Sequence, residues 1–383
     1  MTPIYLDNAA STRVSDDVLA LMTEVMRTAW GNPSAQHPQG AAARTQIEAA
    51  RGRLLAALGD AGGSKGDIVW TSGCTEADAL AVLGAARVRE GAIVVSSIEH
   101  PAVSAAAARL GDGGRAVIEV APGPDGVLDP ETVAEAAAAA AIVAIVMVQN
   151  EIGIVQPVAA IAAAIRRRAP DCHIHVDAAQ AFGKVPLDVT ALGADSVALA
   201  AHKLHGPKGV GALWLRAGAV LEPLWVGGGQ QKGLRGGTQD APGAAGFGLA
   251  AERAVAAMPA ARARWLELAN RVTSVLDARG VAYRQLVPDQ RRAPHILALG
   301  IPGVPATALR TVLSSRGVYV STGSACTDRD SKPSAVLTAI GLPADVGMVR
   351  LSFGAETTAA QVEAAAGILA EVAGELSPKR TAG

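Results

Sequence analysis

The sequence of 383 residues is longer than one ordinary domain, half of its residues are apolar and its formal net charge is −1. This length and apolar content predict one large and one smaller domain. The near-neutral charge gives no general attraction to nucleic acid or to an anionic membrane surface. Three cysteines form an odd number without paired spacing, which argues against a disulfide framework and against a zinc site.

The N-terminal residues and the apolar segments favour a location in the cytoplasm. The first seven residues have neither a basic region nor an apolar segment typical of a signal peptide. The longest apolar run, 136–148, is too short to cross a bilayer. We therefore expect a protein of a reducing compartment that does not associate with membranes.

Along the chain, an extended arm over 1–14 is followed by predicted helices over 16–26 and 39–58. From residue 67 onward, short runs rich in valine and isoleucine alternate with alanine-rich helical segments. The predicted strands cover residues 68–71, 92–97, 116–120, 142–148, 173–177, 196–200 and 211–215. The helices predicted between them cover residues 75–89, 101–110, 129–141 and 157–168. This alternation predicts an α/β fold whose mostly parallel, seven-stranded sheet is covered by helices on both faces.

A smaller α+β domain is predicted after a glycine-rich loop and a long helix over about residues 242–275. The predicted strands of this part cover residues 295–299, 318–321 and 349–353, and the helices cover 305–315 and 359–375. We predict a large domain of residues 15–255, and a small domain that combines residues 1–14 with 256–383.

Lys203 is the first candidate for catalysis, because it follows a buried apolar strand at residues 196–201 and precedes a glycine-rich loop. A lysine at such a strand end is partly removed from water, which lowers its pKa and frees the amine for Schiff-base formation. Taken alone, this stretch favours the alternative, a lysine on a strand-end loop with its amine in solvent.

Two other strand ends carry groups that suit a phosphorylated pyridine. The segment Thr71-Ser-Gly-Cys-Thr-Glu joins a strand to a helix, whose N-terminal N–H groups can hold a phosphate. Asp177 ends another buried strand, at 173–177, and suits a protonated ring nitrogen. The alternatives are an ordinary N-cap at Thr75 and an aspartate that caps the following helix.

Histidine and amide side chains complete this set of strand ends. His100 is placed to stack on a planar cofactor or to move protons, or else it is a surface histidine before a proline-started helix. Asn150 follows the strand predicted at 142–148 and can reach the same crevice. His173 and His175 share one strand face, but no third ligand at metal spacing is near them in the sequence, so we predict no metal site.

Two further candidates lie in the C-terminal part. Cys326 is surrounded by small and polar residues and followed by charged ones, which is typical of an exposed, nucleophilic thiol rather than a packed one. Arg350 begins an apolar run and can bind a carboxylate with two hydrogen bonds, or else it is a surface arginine at a strand edge. The thiols of Cys74 and Cys172 are predicted to pack within the core.

These residues together resemble the NifS/IscS-type cysteine desulfurases of the class V aminotransferase group, which are fold-type I enzymes that use pyridoxal 5'-phosphate (PLP). The matching segments follow the family in order and spacing from end to end. They are Tyr5-Leu-Asp-Asn-Ala-Ala, Gly31-Asn-Pro-Ser, Thr71-Ser-Gly-Cys-Thr-Glu, Glu99-His, Asn150-Glu-Ile-Gly, His175-Val-Asp-Ala-Ala-Gln, His202-Lys, Gly206-Pro-Lys-Gly, Arg235-Gly-Gly-Thr, Gly323-Ser-Ala-Cys-Thr and Val349-Arg-Leu-Ser.

The resemblance assigns cofactor roles to matching positions. It implies that Lys203 forms the Schiff base with PLP and that His100 stacks on the ring and assists proton transfer. Asp177 would pair with the ring nitrogen, and Gln180 would contact the ring hydroxyl. The residues implied at the phosphate are the Cys74 backbone, Thr75 and His202, with Ala200 at the same wall and Thr238 from a neighbouring subunit.

The resemblance also implies how substrate and partners are bound. Asn150 and Arg350 would hold the carboxylate of L-cysteine, and Cys326 would take the sulfur as a persulfide and release alanine. The role of Thr238 implies a homodimer, and the persulfide implies a sulfur-acceptor protein in iron–sulfur assembly or thio-modification.

Several positions depart from the family pattern. Ala200 stands where the family usually has a serine, which removes one expected phosphate donor, and Cys74, Ala77, Ala79 and Ala355 also differ. Two alternatives therefore stay open. One is a selenocysteine or cysteine lyase or an aminotransferase of a specialised pathway, and the other is a catalytically quiet scaffold that binds a partner.

Overall fold

The computed structural model describes residues 3–323 and 334–377. The helices are α1 Asp16–Thr28, α2 Pro38–Ala57, α3 Cys74–Val88, α4 Pro101–Asp112, α5 Pro130–Ala136, α6 Val158–Arg168, α7 Val189–Leu192, α8 Ala241–Ala278, α9 Ala306–Ser315, α10 Ala335–Ala339 and α11 Ala359–Leu376. The strands are β1 Ile4–Tyr5, β2 Gly66–Thr71, β3 Ala92–Ser96, β4 Val117–Val120, β5 Ala140–Val146, β6 His173–Asp177, β7 Ser196–Ala200, β8 Gly211–Arg216, β9 Arg284–Gln285, β10 Ile296–Pro302, β11 Val318–Tyr319 and β12 Val346–Ser352.

The seven strands predicted between residues 68 and 215 all pair in one sheet, in the order β2-β8-β7-β6-β5-β3-β4. Strand β8 is antiparallel to β2 and β7, and the other neighbouring pairs are parallel. Separate apolar clusters cover the two faces of this sheet, which explains why its central strands read as continuous apolar runs. The predicted α/β fold with a mostly parallel sheet is therefore confirmed.

Sequence signals at the helix starts explain several element boundaries. Proline occupies the first position of α2, α4 and α5, where its missing N–H costs nothing. The N-cap side chains of His100 and Asp129 accept hydrogen bonds from backbone N–H groups in the first turn.

The helix predicted over 129–141 extends too far at its C-terminal end. Helix α5 ends at Ala136, a 3₁₀ turn covers Ala137–Ala139, and strand β5 already begins at Ala140. Alanine favours helix, but Ala140 pairs with Ala92 of β3 in the sheet. Tertiary pairing therefore overrides the local propensity of this alanine run.

The C-terminal part is built on a three-stranded antiparallel sheet of order β12-β10-β9, with its own apolar core. The N-terminal arm joins this part, because β1 pairs with β11 and Asp7 bridges to Ser352. The proposed boundary between residues 255 and 256 falls inside α8, a 38-residue helix that contains Pro259. That boundary stays a prediction.

Within the described ranges, no helix combines the length and the apolar content that crossing a membrane requires.

Candidate active site

A cavity of about 520 Å³ opens where the carboxyl ends of the parallel strands meet the small antiparallel sheet. In open α/β sheets this edge is where ligands bind, because the loops after the strands gather there. Its lining includes ten of the predicted site residues: Cys74, Thr75, His100, Asn150, Asp177, Gln180, Ala200, His202, Lys203 and Arg350. The sequence therefore identified residues that are more than 270 positions apart but share one cavity.

Lys203 lies in the 3₁₀ turn that follows β7, and its amine is held inside the cavity wall. Its Nζ donates hydrogen bonds to the carbonyl oxygens of Ala9 at 2.7 Å and Ala10 at 2.8 Å. Burial, and then the nearby Arg350 guanidinium, lower the pKa of Lys203 to about 8. About a tenth of this amine is therefore neutral at pH 7, far more than for a lysine in water, and a Schiff-base lysine requires the neutral form.

The N-terminus of α3 forms the anion-binding wall of the cavity. Gly73, Cys74 and Thr75 line it at the point where the helix begins. A Cβ on Gly211 would lie 2.4 Å from the carbonyl carbon of Gly73, so only glycine allows β8 to approach this turn. First-turn N–H groups and the positive end of the helix dipole make this wall suitable for a phosphate.

The side chain of Glu76 holds the turn before α3 in place. Its Oε2 accepts a hydrogen bond from Ser72 N at 2.6 Å, and its Oε1 lies 2.9 Å from Nε of Arg235. These bonds and the Arg235 guanidinium keep the pKa of Glu76 below its usual value, although burial opposes this. These bonds connect the glycine-rich loop that carries Arg235 to the turn before α3.

His202 faces the same wall as a neutral donor. Burial and the nearby lysines, Lys203 first, lower its pKa to about 4. Its Nδ1 lies 3.2 Å from Oγ of Ser11, which also lines the cavity. Sequence reasoning missed the hydroxyl of Ser11 and placed this residue only in the extended arm over 1–14. Ala200 presents only a methyl group to this wall, as the sequence implied.

Asp177 ends β6 with its side chain 4% exposed. Its Oδ1 accepts hydrogen bonds from Ala179 N at 2.9 Å and from the Cys74 thiol at 3.6 Å. Burial, and then the Asp177 and Asp78 carboxyls, raise the pKa of Cys74 well above its usual value. Cys74 is therefore a neutral thiol donor to Asp177 rather than a nucleophile.

His100 caps α4 and faces the cavity. Its Nδ1 accepts a hydrogen bond from Ala102 N at 3.1 Å, which leaves Nε2 as the protonated nitrogen of the neutral ring. Burial lowers its pKa, the Asp177 carboxylate opposes this, and Lys203 adds to it. A ring oriented in this way can stack on a planar group and exchange a proton at Nε2.

Gln180 is positioned by residues that the sequence analysis did not single out. Its Nε2 donates to the Ala9 carbonyl at 2.7 Å. Its Oε1 lies 3.3 Å from Lys184 Nζ and 3.2 Å from His295 Nε2, and both side chains are buried. Burial and the Lys203 charge lower the pKa of Lys184 well below its usual value. The signal in the sequence that could have identified Lys184 is its position four residues after Gln180.

Arg350 reaches the cavity from β12 of the small sheet and is 3% exposed, so the surface alternative is wrong. Its guanidinium donates to Asp7 Oδ1 at 2.6 Å and to the carbonyl of Asn150 at 2.6 Å. Its buried Nε has no hydrogen-bond partner among the described residues. Each terminal nitrogen of the guanidinium makes one of these two bonds and keeps a second N–H, and Arg350 lines the cavity that an incoming carboxylate would enter.

Two predicted residues are not in the described cavity lining. Thr238 lies exposed on the loop after β8. Cys326 falls in the segment 324–333, outside the described residues. Of the other thiols, Cys172 is buried as predicted, and burial raises its pKa to about 12.

Metal-type side chains do gather beside the cavity. Ligand atoms of Cys74, Asp78 and Asp177 lie within 4.8 Å of one another. The hydrogen bond of the Cys74 thiol to Asp177 gives this cluster a role without an ion. His173 and His175 do share a face of β6, but both bond to Ser196 Oγ.

Residues 4–365 match the family described as Aminotransferase class-V. The chain belongs to this family. A curated cysteine desulfurase of Rhodobacter capsulatus is 38% identical over 381 residues, which cover 98% of this chain and 97% of the relative. The resemblance to cysteine desulfurases is thereby confirmed.

Solved structures agree with this assignment. A NifS-like protein superimposes with a TM-score of 0.89 at 31% identity, covering 98% of this chain and all of that one. A structure described as SspA in complex with cysteine has a TM-score of 0.79 at 32% identity, covering 91% of this chain and 98% of the other. The fold-type I architecture is therefore confirmed.

The residues present fit PLP. The cavity combines a lysine of lowered pKa, a buried carboxylate and a helix N-terminus on three different strand ends. The guanidinium of Arg350, which lines the same cavity, adds a place for the carboxylate of an amino acid. A phosphate, a pyridine nitrogen, an aldehyde and an amino-acid substrate each have a matching group in this set.

Proposed function

We propose that this protein is a PLP-dependent cysteine desulfurase, which converts L-cysteine to L-alanine and passes the sulfur to an acceptor. The observation that carries the proposal is that Lys203 and Asp177 share one cavity with the N-terminus of α3. The family membership and the cysteine desulfurases among the relatives support the same reaction.

The cavity residues divide the binding of PLP among them. Lys203 would hold the aldehyde carbon, Asp177 the ring nitrogen and Gln180 the ring hydroxyl. The phosphate would rest on the N-terminus of α3 and on His202. When bound, PLP supplies an electron sink that stabilises negative charge on the substrate carbon. Asp177 supports this role because a buried carboxylate favours the protonated ring nitrogen.

The substrate carboxylate would be bound by Arg350 and Asn150. Arg350 is held in place by Asp7, so the incoming carboxylate approaches a guanidinium that is oriented in advance. A charged, oriented arginine gives a directional contact to a carboxylate. Because Asp7 competes for the same cation, this contact is expected to be of moderate strength. The SspA complex with cysteine is consistent with cysteine as the ligand class.

Proton transfer would be divided between His100 and Lys203. The neutral His100 ring presents Nε2 for donation because Nδ1 is fixed by Ala102. The amine of Lys203 can take and return a proton near pH 8, close to the pH range in which such a base is most effective. His100, Lys203 and Asp177 all line the cavity.

Cys326 would receive the sulfur. Its thiolate attacks the substrate sulfur, so that an S–S bond forms as the substrate C–S bond breaks. The electron pair of the broken bond remains with the substrate carbon, which takes up a proton and leaves as part of alanine. The persulfide on Cys326 then transfers its outer sulfur to a thiol of the acceptor protein. The cytoplasm, which keeps thiols reduced, is the proposed compartment.

The proposed assembly is a homodimer in which Thr238 reaches the phosphate site of the partner. The segment before Thr238 exposes Trp225 at 49% and Val226 at 89%. Large apolar side chains at a surface are typical of an interface. The acceptor pathway is proposed as iron–sulfur cluster assembly or thio-modification.

The test is to incubate the purified protein with L-cysteine and, separately, with L-selenocysteine, and to quantify alanine, sulfide and selenide. The expected result is a visible absorbance band from lysine-bound PLP, with alanine formed from cysteine. Formation of pyruvate, or turnover of selenocysteine only, would favour the lyase alternative. Colourless protein that stays inactive after addition of PLP would favour the scaffold.

A further inference from the structure

The face of β6 that ends in Asp177 carries two more ionisable residues, His173 and His175. Alternate residues of a strand point to the same side, so these three side chains lie in a row beneath the cavity. His173 is 1% and His175 0% exposed. The proposed reaction assigns no role to either histidine.

Both histidines belong to a continuous chain of buried hydrogen bonds. Asp78 Oδ1 of α3 lies 3.0 Å from His175 Nε2, and His175 Nδ1 lies 2.9 Å from Ser196 Oγ. Ser196 Oγ in turn lies 2.8 Å from His173 Nε2. Asp78 and Ser196 are fully buried. The chain therefore runs through the core from the cavity towards the start of β6.

Asp78 brings a second carboxyl close to Asp177. Ligand atoms of Asp78, Asp177 and Cys74 lie within 4.8 Å of one another. Two carboxylates at such a distance in a dry interior cannot both be ionised without a large cost. Asp177 accepts a backbone hydrogen bond and a thiol hydrogen bond, which favour its charged form. Asp78 instead faces an imidazole nitrogen that can accept a proton.

The proton on Asp78 sets the direction of its bond to His175, and the other two bonds follow when Ser196 donates once and accepts once. Beyond this chain, Nδ1 of His173 has no hydrogen-bond partner among the described residues. If Asp78 is an acid, it donates to Nε2 of His175, and the Nδ1–H of His175 donates to Ser196, whose hydroxyl donates to Nε2 of His173. If Asp78 is ionised, all three bonds reverse and both histidines carry their proton on Nε2. The two arrangements therefore differ in the tautomer of both histidines.

We propose that Asp78 is a protonated carboxylic acid that acts as a positioning residue, so that Asp177 is the one anion beneath the cofactor ring. The role towards the ring rests on the proposed function, whereas the position of the proton does not. The buried chain stabilises the neutral acid by giving its proton an acceptor. A second negative charge beside Asp177 is thereby avoided.

The electrostatic environment agrees with this arrangement. Burial, and then the Asp177 and Glu99 carboxyls, raise the pKa of Asp78 well above its usual value, although a hydrogen bond with the Cys74 thiol opposes this. Burial lowers the pKa of His175 to about 3 and that of His173 to about 4, so neither ring is a cation at neutral pH. The groups that face Asp78 are Asp177, Glu99, Cys74 and His175, and all except Asp177 are neutral at pH 7 in this arrangement.

The first experiment locates the proton in the isolated holoenzyme without turnover. The carbonyl stretch of a protonated acid is measured by infrared difference spectroscopy between wild type and Asp78→Asn at pH 7. The expected result is the loss of one acid band. Glu99→Gln is the matched control, because burial raises the pKa of Glu99 to about 8 and it should lose a different acid band. Loss of a carboxylate band in Asp78→Asn would overturn the proposal.

The second readout is the tautomer of the two histidines, obtained from nitrogen chemical shifts of histidine-labelled protein. We expect His173 and His175 to be protonated on Nδ1 in wild type. Asp78→Asn should keep this tautomer, because its amide can donate to Nε2 of His175 as the acid does. Protonation of both rings on Nε2 in wild type would contradict the proposal.

The third readout connects Asp78 to the cofactor. The pH titration of the visible band should have the same midpoint in wild type and Asp78→Asn, since both side chains are neutral. A midpoint that moves to lower pH in Asp78→Asn would mean that a negative charge had been removed, which would overturn the proposal. A colourless wild-type protein with both predicted histidine tautomers would instead disprove the proposed function and leave the proton assignment intact.

Discussion

The two sides of the cavity differ in the charge that their basic side chains carry. On the side of the large sheet, the bonds of Lys203 within the described residues go to backbone carbonyls, and its pKa is lowered to about 8. His202 on this side is neutral because its pKa is about 4. On the side of the small sheet, Arg350 keeps a full charge paired with Asp7. The first side suits covalent capture and neutral donors, and the second suits recognition of a carboxylate.

This difference gives each side a separable function. Changes on the large-sheet side should abolish or slow cofactor chemistry, whereas changes on the small-sheet side should mainly alter the affinity for substrate.

Lys203→Ala should abolish the visible band and lower the rate of alanine formation by about 10³-fold or more, because the amine that captures the cofactor is missing. The check is an absorbance spectrum together with an alanine assay. Lys65→Ala, which removes an exposed lysine beyond the cavity lining, is the control and should behave as wild type. A Lys203→Ala protein with a normal band would contradict the assignment.

Asp177→Asn should bind PLP but lower the rate of alanine formation by about 10²-fold, because an amide stabilises the protonated ring nitrogen much less than a carboxylate. Steady-state kinetics with L-cysteine give the result. Asp171→Asn, at an exposed position just before β6, serves as the control. Unchanged turnover in Asp177→Asn would exclude the proposed pairing.

Cofactor capture should depend on the protonation of Lys203. Below its pKa of about 8 the neutral fraction of the amine, and with it the rate of PLP incorporation into the apoprotein, should rise about tenfold per pH unit. Above that pH the rate should level off. Stopped-flow absorbance gives the profile, and a rate still rising steeply at pH 10 would show that the lysine is not desolvated.

Substrate affinity should respond to the Arg350 pair in opposite directions. Arg350→Lys should raise the KM for cysteine by about tenfold, because the oriented contact to the carboxylate is lost. Asp7→Asn should lower it, because a competitor for the guanidinium is removed. Arg284→Lys on the exposed edge of β9 is the control for the arginine change. An effect of Arg350→Lys on kcat alone would contradict the proposed division.

The smallest expected effect is a gain. Ala200→Ser introduces a hydroxyl at the phosphate wall, and one added hydrogen bond of about 1 kcal/mol corresponds to about fivefold tighter binding of PLP. Equilibrium titration of the apoprotein measures it. Weaker binding would show that the buried methyl group of Ala200 is needed for packing instead.

Much of this fold was predictable because the parallel sheet is buried on both faces. Strands such as β6 and β7 are continuous apolar segments bounded by loops, and the polar residues at their ends identify the edge where the site lies. Lys203 and Asp177 were found in this way. The C-terminal end of α5 was not found, because alanine does not distinguish a helix from the first residues of β5.

The sequence patterns did not predict hydrogen bonds between residues that are far apart in the chain. Nothing near Arg350 indicates that Asp7, 343 residues away, holds its guanidinium. The pair of His173 and His175 suggested at most a metal, because their common partner Ser196 lies on another strand. The proton chain emerges only when β6, β7 and α3 are packed together.

We expect sulfur to leave cysteine in the cavity that holds Lys203 and to arrive on Cys326. The direct measurement is a single-turnover incubation of the holoenzyme with L-cysteine, with alanine quantified and the added sulfur located by peptide mass spectrometry. We expect one persulfide on the peptide of Cys326 per alanine formed, none on Cys74 or Cys172, and no persulfide in Cys326→Ser. Persulfide on another cysteine, or undiminished persulfide transfer by Cys326→Ser, would contradict the account.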